Sequence, residues 1–156
     1  MTLSERETAM RLALSLAEDA ADCGEVPVGC VITDSRGTVI GCGRNRTREK
    51  KDATAHAEVE AIREACRTLG DWRLERCTLA VTLEPCPMCA GAIMNARIPT
   101  IVFGAKDSVK GSCGSVIDLF SENYPEKCAV YGNVLPEECG ALLSDFFRNI
   151  REGETV

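Results

Sequence analysis

Cys86 and Cys89, three residues apart in Glu84-Pro85-Cys86-Pro87-Met88-Cys89, are the residues of this chain whose types and spacing most directly suggest chemistry. They follow an apolar, β-branched run (Thr78 to Leu83) and open an Ala-rich, helix-like one (Ala90 to Ala96). Side chains at i and i+3 share a helical face, so at a strand-to-helix turn both sulfurs point the same way. Pro87 suits the first helical position, where its missing N–H is no loss. Amides at a helix start favour anions, so both thiols should ionise more easily than free cysteine. Clustered thiolates call for a metal or a disulfide. The chain holds one histidine, His56, in Thr54-Ala55-His56-Ala57-Glu58, and it is the third candidate ligand.

Zinc accepts imidazole nitrogen and thiolate sulfur at about 2.0–2.3 Å, and three protein ligands leave a fourth position for water, the arrangement of a catalytic site. Zinc lowers the pKa of such a water from 15.7 towards about 7. Hydrolysis then still needs a group that moves protons, and Glu58 is the candidate. In a regular helix i and i+2 lie on different faces. His56 must therefore sit at a loop–helix junction if it and Glu58 are to face one cavity, with Asp52 or Thr54 capping that helix. Other readings of the same residues exist. Cys-x-x-Cys can be half of a structural zinc site, but no second Cys-x-x-Cys or His-x₃₋₅-His completes one. It can be a dithiol redox motif, which leaves His56 and Glu58 idle. A lone histidine before an apolar helix is more often structural than catalytic, and here its partner motif lifts it.

The elements that must position these groups are legible from periodicity. Ser4-Glu5-Arg6-Glu7 has the capping-box pattern, and apolar residues then recur at helical spacing to Ala21, with Gly24 as the stop. Val28 to Thr33 and Thr38 to Cys42 read as strands joined by the turn Asp34-Ser35-Arg36-Gly37. A polar loop, Gly43 to Ala53, precedes a helix from His56 to Leu69 whose apolar face carries Val59, Ile62 and Cys66. Thr78 to Leu83 is a strand, Met88 to Ala96 a helix and Thr100 to Gly104 a strand. Lys106 to Ser115 is a loop, Val116 to Phe120 a short helix and Cys128 to Tyr131 a short strand. Pro136-Glu137-Glu138 opens a last amphipathic helix. Alternating helices and strands imply an α/β domain in three α/β/α layers around a mixed sheet, and ligands of such sheets lie at the carboxyl ends of strands, where Cys86 falls.

Composition narrows the class. The 156 residues, 45% hydrophobic, suit one globular domain over residues 1–151, with 152–156 as a frayed tail. No apolar run approaches the ~18 residues of a membrane span, and the N-terminus has no signal-peptide pattern. Ten cysteines without a secretion signal suggest reduced thiols in the cytoplasm, most of the eight outside Cys86 and Cys89 serving as small buried hydrophobes. The net charge of −6 argues against a general polyanion binder. Any nucleic-acid contact must be local. Arg44-Asn45-Arg46-Thr47-Arg48-Glu49-Lys50-Lys51 is one candidate, although charge runs are commonly just solvated.

His56-Ala57-Glu58 together with Pro85-Cys86-Pro87-Met88-Cys89 matches the H-x-E…P-C-x-x-C signature of the zinc-dependent cytidine/adenosine deaminases. The chain further resembles the bacterial tRNA-specific adenosine deaminases over about Glu25 to Arg151, including Val81 to Ala92, Val102-Phe103-Gly104-Ala105, Gly114-Ser115 and Glu138 to Phe147. The resemblance implies a cytidine deaminase-like fold and one zinc per subunit held by His56, Cys86 and Cys89. Glu58 would move protons between water, the purine ring and leaving ammonia, converting adenosine to inosine at the wobble position of a tRNA anticodon. Asn45, Val28, Glu84, Pro85 and Arg46 would contact substrate, and Arg148 and Arg151 the anticodon stem-loop. A homodimer is implied, and no membrane.

The chain departs from the family pattern at Ala53 (commonly Pro), Tyr124 (commonly His), the slightly long Tyr131–Leu135 stretch and the 106–110 loop. All bear on substrate rather than on zinc. Two rival functions are a deaminase of a free base or nucleoside, such as guanine or cytidine, and a non-enzymatic zinc-stabilised RNA-binding domain.

Overall fold

In the computed structural model, which describes residues 1–153, the chain begins with helix α1 (Leu3–Asp22). Two overlapping capping boxes are possible there. The first is used: Glu5 N donates to Thr2 Oγ1 (3.1 Å) and Thr2 N to Glu5 Oε2 (2.7 Å). Thr2, not Ser4, is therefore the cap, because starting at Leu3 still buries Ala9, Met10, Ala13, Leu14 and Ala17 on one face. Strands β1 (Gly29–Thr33) and β2 (Val39–Arg44) form the expected hairpin. The polar stretch after β2 is not all loop. It holds a single helical turn, α2 (Thr47–Lys50), ended by Lys51 in the left-handed region at φ 51°. Then come α3 (Ala57–Leu69), β3 (Thr78–Leu83), α4 (Pro87–Asn95) and β4 (Thr100–Ala105). The short helix expected over 116–120 is a 3₁₀ turn further on, at Leu119–Ser121. Strand β5 (Ala129–Tyr131) and helix α5 (Pro136–Arg151) complete the order. Of the expected tail, Glu152 N still bonds Arg148 O (3.0 Å), and residues 154–156 lie outside the described residues.

The sheet runs β2-β1-β3-β4-β5 and is mixed. β1 is antiparallel to both neighbours, while β3, β4 and β5 are parallel. Alternation along the strands splits the core in two, because successive side chains leave opposite faces. Cys30, Ile32, Leu79, Val81, Ile101 and Phe103 meet the buried residues of α3 and α4. Val31, Ala80 and Val102 meet α1 and Cys139 of α5. This is the three-layer α/β/α arrangement. Of the eight cysteines outside the Cys-x-x-Cys pair, Cys30, Cys77 and Cys139 are buried, four are half-buried and Cys23 is exposed. All ten are free. Among the described residues no helix is long and apolar enough to cross a membrane.

The face of α3 turned to the sheet is not the one expected. Val59, Ile62 and Cys66 are half-buried at its edge, and the contact is made by Ala57, Ala61 and Ala65. Opposite them on β2 are Gly41 and Gly43. A Cβ on Gly43 would collide with Ala57 O, and one on Gly41 with Ala61 O and Ala65 N. The helix rests almost backbone to backbone on the strand, which only glycine facing alanine permits. Gly43→Val should destabilise the fold by about 1–3 kcal/mol in chemical denaturation, since an overpacked core must shift backbone to accept the added carbons. It should also weaken metal binding, because Ala57 is the neighbour of His56. Gly140→Ala in α5, where an added Cβ meets nothing within 4 Å, should instead be neutral or stabilising by about 0.5–1 kcal/mol.

Candidate metal centre

His56 is the N-cap residue of α3, with extended backbone at φ −78° and ψ 155°. That position answers the geometric demand of the His-x-Glu spacing. His56 stands outside the helix, so it need not share a helical face with Glu58. The helix is not capped by Asp52 or Thr54, because Asp52 Oδ1 accepts from both the amide (2.8 Å) and the hydroxyl (2.6 Å) of Thr54. Asn45 takes that role. Its Oδ1 accepts from Ala57 N (2.9 Å), and its Nδ2 donates to Val26 O (3.2 Å). Asn45 thus ties the end of β2 and the 26–28 segment to the start of α3. Cys86 is the N-cap of α4 with Pro87 at the first helical position, so Cys86 and Cys89 project together as the spacing implied.

The three candidate ligands converge. His56 Nδ1 lies 3.6 Å from Cys86 Sγ and 3.5 Å from Cys89 Sγ. The ligand atoms of the three residues all lie within 4.8 Å of one another. A tetrahedral zinc with N and S ligands at about 2.0 and 2.3 Å separates those atoms by roughly 3.6 Å, so the cradle has the right size and donor chemistry without rearrangement. A cleft of about 500 Å³ beside Asp34, Arg73 and Arg76 is lined by none of them.

Of the two thiols expected to ionise easily, only Cys86 does, because Cys89 donates its proton to it. A hydrogen bond from the Cys89 thiol and another from His56 outweigh burial and draw Cys86 down to about 4. Cys89, which gives that bond, is driven strongly upward, with burial adding to it. His56 is raised, chiefly by its bond to Cys86, while burial and the charge of Lys110 oppose it. One sulfur is therefore a thiolate before any cation arrives, and a dication would deprotonate the second. Glu58 is 4% exposed, and burial lifts its carboxyl to about 7, the charge of Cys86 adding to the rise. Such a group can both take and give a proton near neutrality.

The remaining expected contacts are distributed unevenly. Val28 is buried and its carbonyl accepts from Asn45 N (3.2 Å). Pro85 O accepts from Ser112 N (2.9 Å). Arg46 pairs with Glu49 at 2.6 Å, Arg44 pairs with the same carboxylate at 3.0 Å, and Lys50 pairs with Glu60 at 2.8 Å. The basic stretch is thus largely partnered by acids. Arg148 pairs with Asp145, and both Arg148 and Arg151 stand on α5, in the layer opposite α3 and α4, so they do not join the triad. Two carboxylates are buried in a way the sequence does not announce, Glu25 and Glu84, the latter expected above only as a substrate contact. Glu25, 1% exposed, accepts from Arg48 N (3.2 Å) and Glu49 N (2.8 Å) at the start of α2. Glu84, 2% exposed, accepts from Asp107 N (3.1 Å), Cys113 N (2.9 Å) and Ser115 N (3.1 Å). Burial pushes Glu84 up, but those amides and the Ser115 hydroxyl prevail and hold it below the usual carboxylate range. The turn residues of 111–115 were the only hint of that second partnership.

The family described as the cytidine and deoxycytidylate deaminase zinc-binding region matches residues 3–105. A tRNA-specific adenosine deaminase of Bacillus subtilis is 43% identical over 151 residues, covering 96% of this chain and 93% of that protein. A tRNA(Ile)-lysidine synthase of Deinococcus deserti is 46% identical over 146 residues, covering 94% of this chain, which spans 27% of that protein's length. A solved structure from work on A-to-I editing by tRNA:A34 deaminases at the wobble position superposes with a TM-score of 0.82 at 43% identity, covering 87% of this chain and 99% of the other.

Proposed function

Because the chain belongs to the cytidine and deoxycytidylate deaminase family, we propose that it hydrolyses adenosine to inosine at the wobble position of a tRNA anticodon. The observation that carries this reading is the convergence of His56, Cys86 and Cys89 beside the buried Glu58. Those three residues would hold zinc, which when bound supplies a Lewis acid that makes water nucleophilic at neutral pH. The chain's own groups do the rest. Glu58 takes a proton from the attacking water and passes it to the purine ring. It then delivers the second proton to the exocyclic amine, so adenosine and water give inosine and ammonia. Its carboxyl at about 7 suits a group that must change state twice per turnover. Burial of Glu58 keeps bulk water from competing for the proton. Asn45 locks the start of α3, and with it the angle between His56 and Glu58.

The same reading includes residues 1–151 acting as one catalytic domain and substrate contacts at Val28, Asn45, the backbone of Glu84 and Pro85, Arg46, Arg148 and Arg151. It also includes a homodimer and a cytoplasmic setting. Ten free thiols suit a reducing compartment. Similarity to tRNA deaminases supports the tRNA substrate, and the homodimer and the contact residues rest on the family resemblance of the sequence. The deciding experiment incubates tRNA with the purified protein and looks for inosine by sequencing or nucleoside mass analysis. Ammonia release from free guanine, adenosine or cytidine without inosine in an anticodon stem-loop would overturn the tRNA substrate.

The basic stretch gives a second test. Exposed ion pairs are worth little, so the partners of Arg46 and Lys50 can be exchanged for phosphates. Neutralising Arg46, Arg48 and Lys50 together should weaken stem-loop binding and reduce the slope of log K against log salt by about 2, at ~0.7 per phosphate lost from single-stranded RNA. Titrations between low and moderate salt measure it. An unchanged slope would make the stretch a solvated surface.

A further inference from the structure

Glu84 is the one buried carboxylate at the metal-site turn that the proton transfers do not use. It follows the last residue of β3 and lies two residues before Cys86. Its oxygens are fully occupied by a single segment. Oε1 accepts from Asp107 N (3.1 Å) and Ser115 Oγ (2.5 Å), and Oε2 accepts from Cys113 N (2.9 Å) and Ser115 N (3.1 Å). Gly111 sits so close that an added Cβ would strike the carboxylate. The segment is also bound to the turn itself, where Ser112 N donates to Pro85 O (2.9 Å). Within it, Asp107 Oδ1 accepts from Val109 N and Lys110 N. Val109, Val116 and Ile117, which nothing in the fold covers, are exposed on the same segment.

A carboxylate taken out of water is costly unless every oxygen is satisfied. Four donors from one loop satisfy Glu84, and the dependence is mutual, because these amides have no ladder to join. We propose that Glu84 is a positioning residue that clamps segment 107–117 against the Pro85-Cys86 turn, making that segment one wall of the substrate pocket and fixing its shape towards the target nucleotide. The proposal rests on the deaminase reading above for the identity of that nucleotide. Glu84 does not touch the reacting atoms. It acts through the loop, so its loss should be felt in substrate capture before it is felt in the chemical step.

Glu84→Gln keeps the volume and removes the ability to accept at both ends. Leaving a buried N–H without its acceptor costs enough to raise KM for an anticodon stem-loop about tenfold, while kcat changes within about threefold. Zinc content should hold, and amide exchange at 107, 113 and 115 should accelerate about tenfold or more by the same cost. Ser115→Ala removes one donor and leaves no buried group stranded on the carboxylate. It should give about a threefold rise in KM, and it serves as the test if the Gln variant does not fold. Unchanged exchange would show that Glu84 is not the clamp. Faster exchange with unchanged KM would show that the segment is not a pocket wall. Loss of zinc with KM constant would make Glu84 a prop of the metal turn. A wild type that makes no inosine would sink the functional reading alone, and faster exchange in the Gln variant would still support the clamp.

Discussion

Glu58→Gln is expected to leave zinc bound at the triad and to cut inosine formation by at least ~10²–10⁴, the usual worth of a positioned acid–base group. The substitution keeps the shape of a side chain that is 4% exposed, so the packing of α3 on the sheet should survive. It removes a carboxyl held in a low-dielectric site, where a charged form is costly. Stability should therefore stay constant or rise while turnover collapses, the opposite pairing from that of a structural residue. Metal analysis, thermal melting and single-turnover deamination on an anticodon stem-loop check the three parts together. Retained turnover would end the assignment of Glu58 as the proton carrier.

The second large effect concerns the metal. His56 opens α3 and Cys86 opens α4, so a shared cation would link two helix starts. Binding to the folded state alone stabilises it by RT ln(1 + [Zn]/Kd), about 4 kcal/mol at a thousandfold excess over Kd. Thermal melts over a zinc series should rise accordingly, and a chelator should reverse the gain. Cys86→Ala should abolish both the zinc dependence and the activity. It takes away one of three ligands, leaving His56 and Cys89, too few to hold zinc tightly. A wild-type melting temperature indifferent to zinc would contradict a resident cation at this place.

The gathering of the triad was legible because each half is local. His-x-Glu at a loop–helix junction and Cys-x-x-Cys at a strand-to-helix turn are set by a few residues each, and strand order brings the two together. The layer architecture was legible for the same reason, since period-2 runs such as Leu79–Val81 sort their side chains to opposite faces. What was hidden depends on distant partners. Asn45 caps a helix twelve residues on, displacing Asp52 and Thr54, which local pattern favoured. The buried face of α3 is alanine because β2 opposite it carries Gly41 and Gly43, a fact that no reading of α3 alone contains. Thr2-x-x-Glu5 and Ser4-x-x-Glu7 are equivalent as patterns, and burial two turns later decides between them. The acids that pair with Arg44, Arg46 and Lys50 include Glu60, from a different element. Glu25 and Glu84 look like surface charges in the sequence and are almost wholly enclosed.

The flush seating of α3 on β2 also says where this protein can be re-engineered. Where alanine meets glycine there are no flexible side chains to absorb a change, so diversity introduced at positions 41, 43, 57, 61 or 65 would be spent on misfolded variants. A mutant library aimed at new nucleotide targets should leave that seam untouched. It should randomise instead positions 108, 109, 116 and 117, whose side chains are exposed.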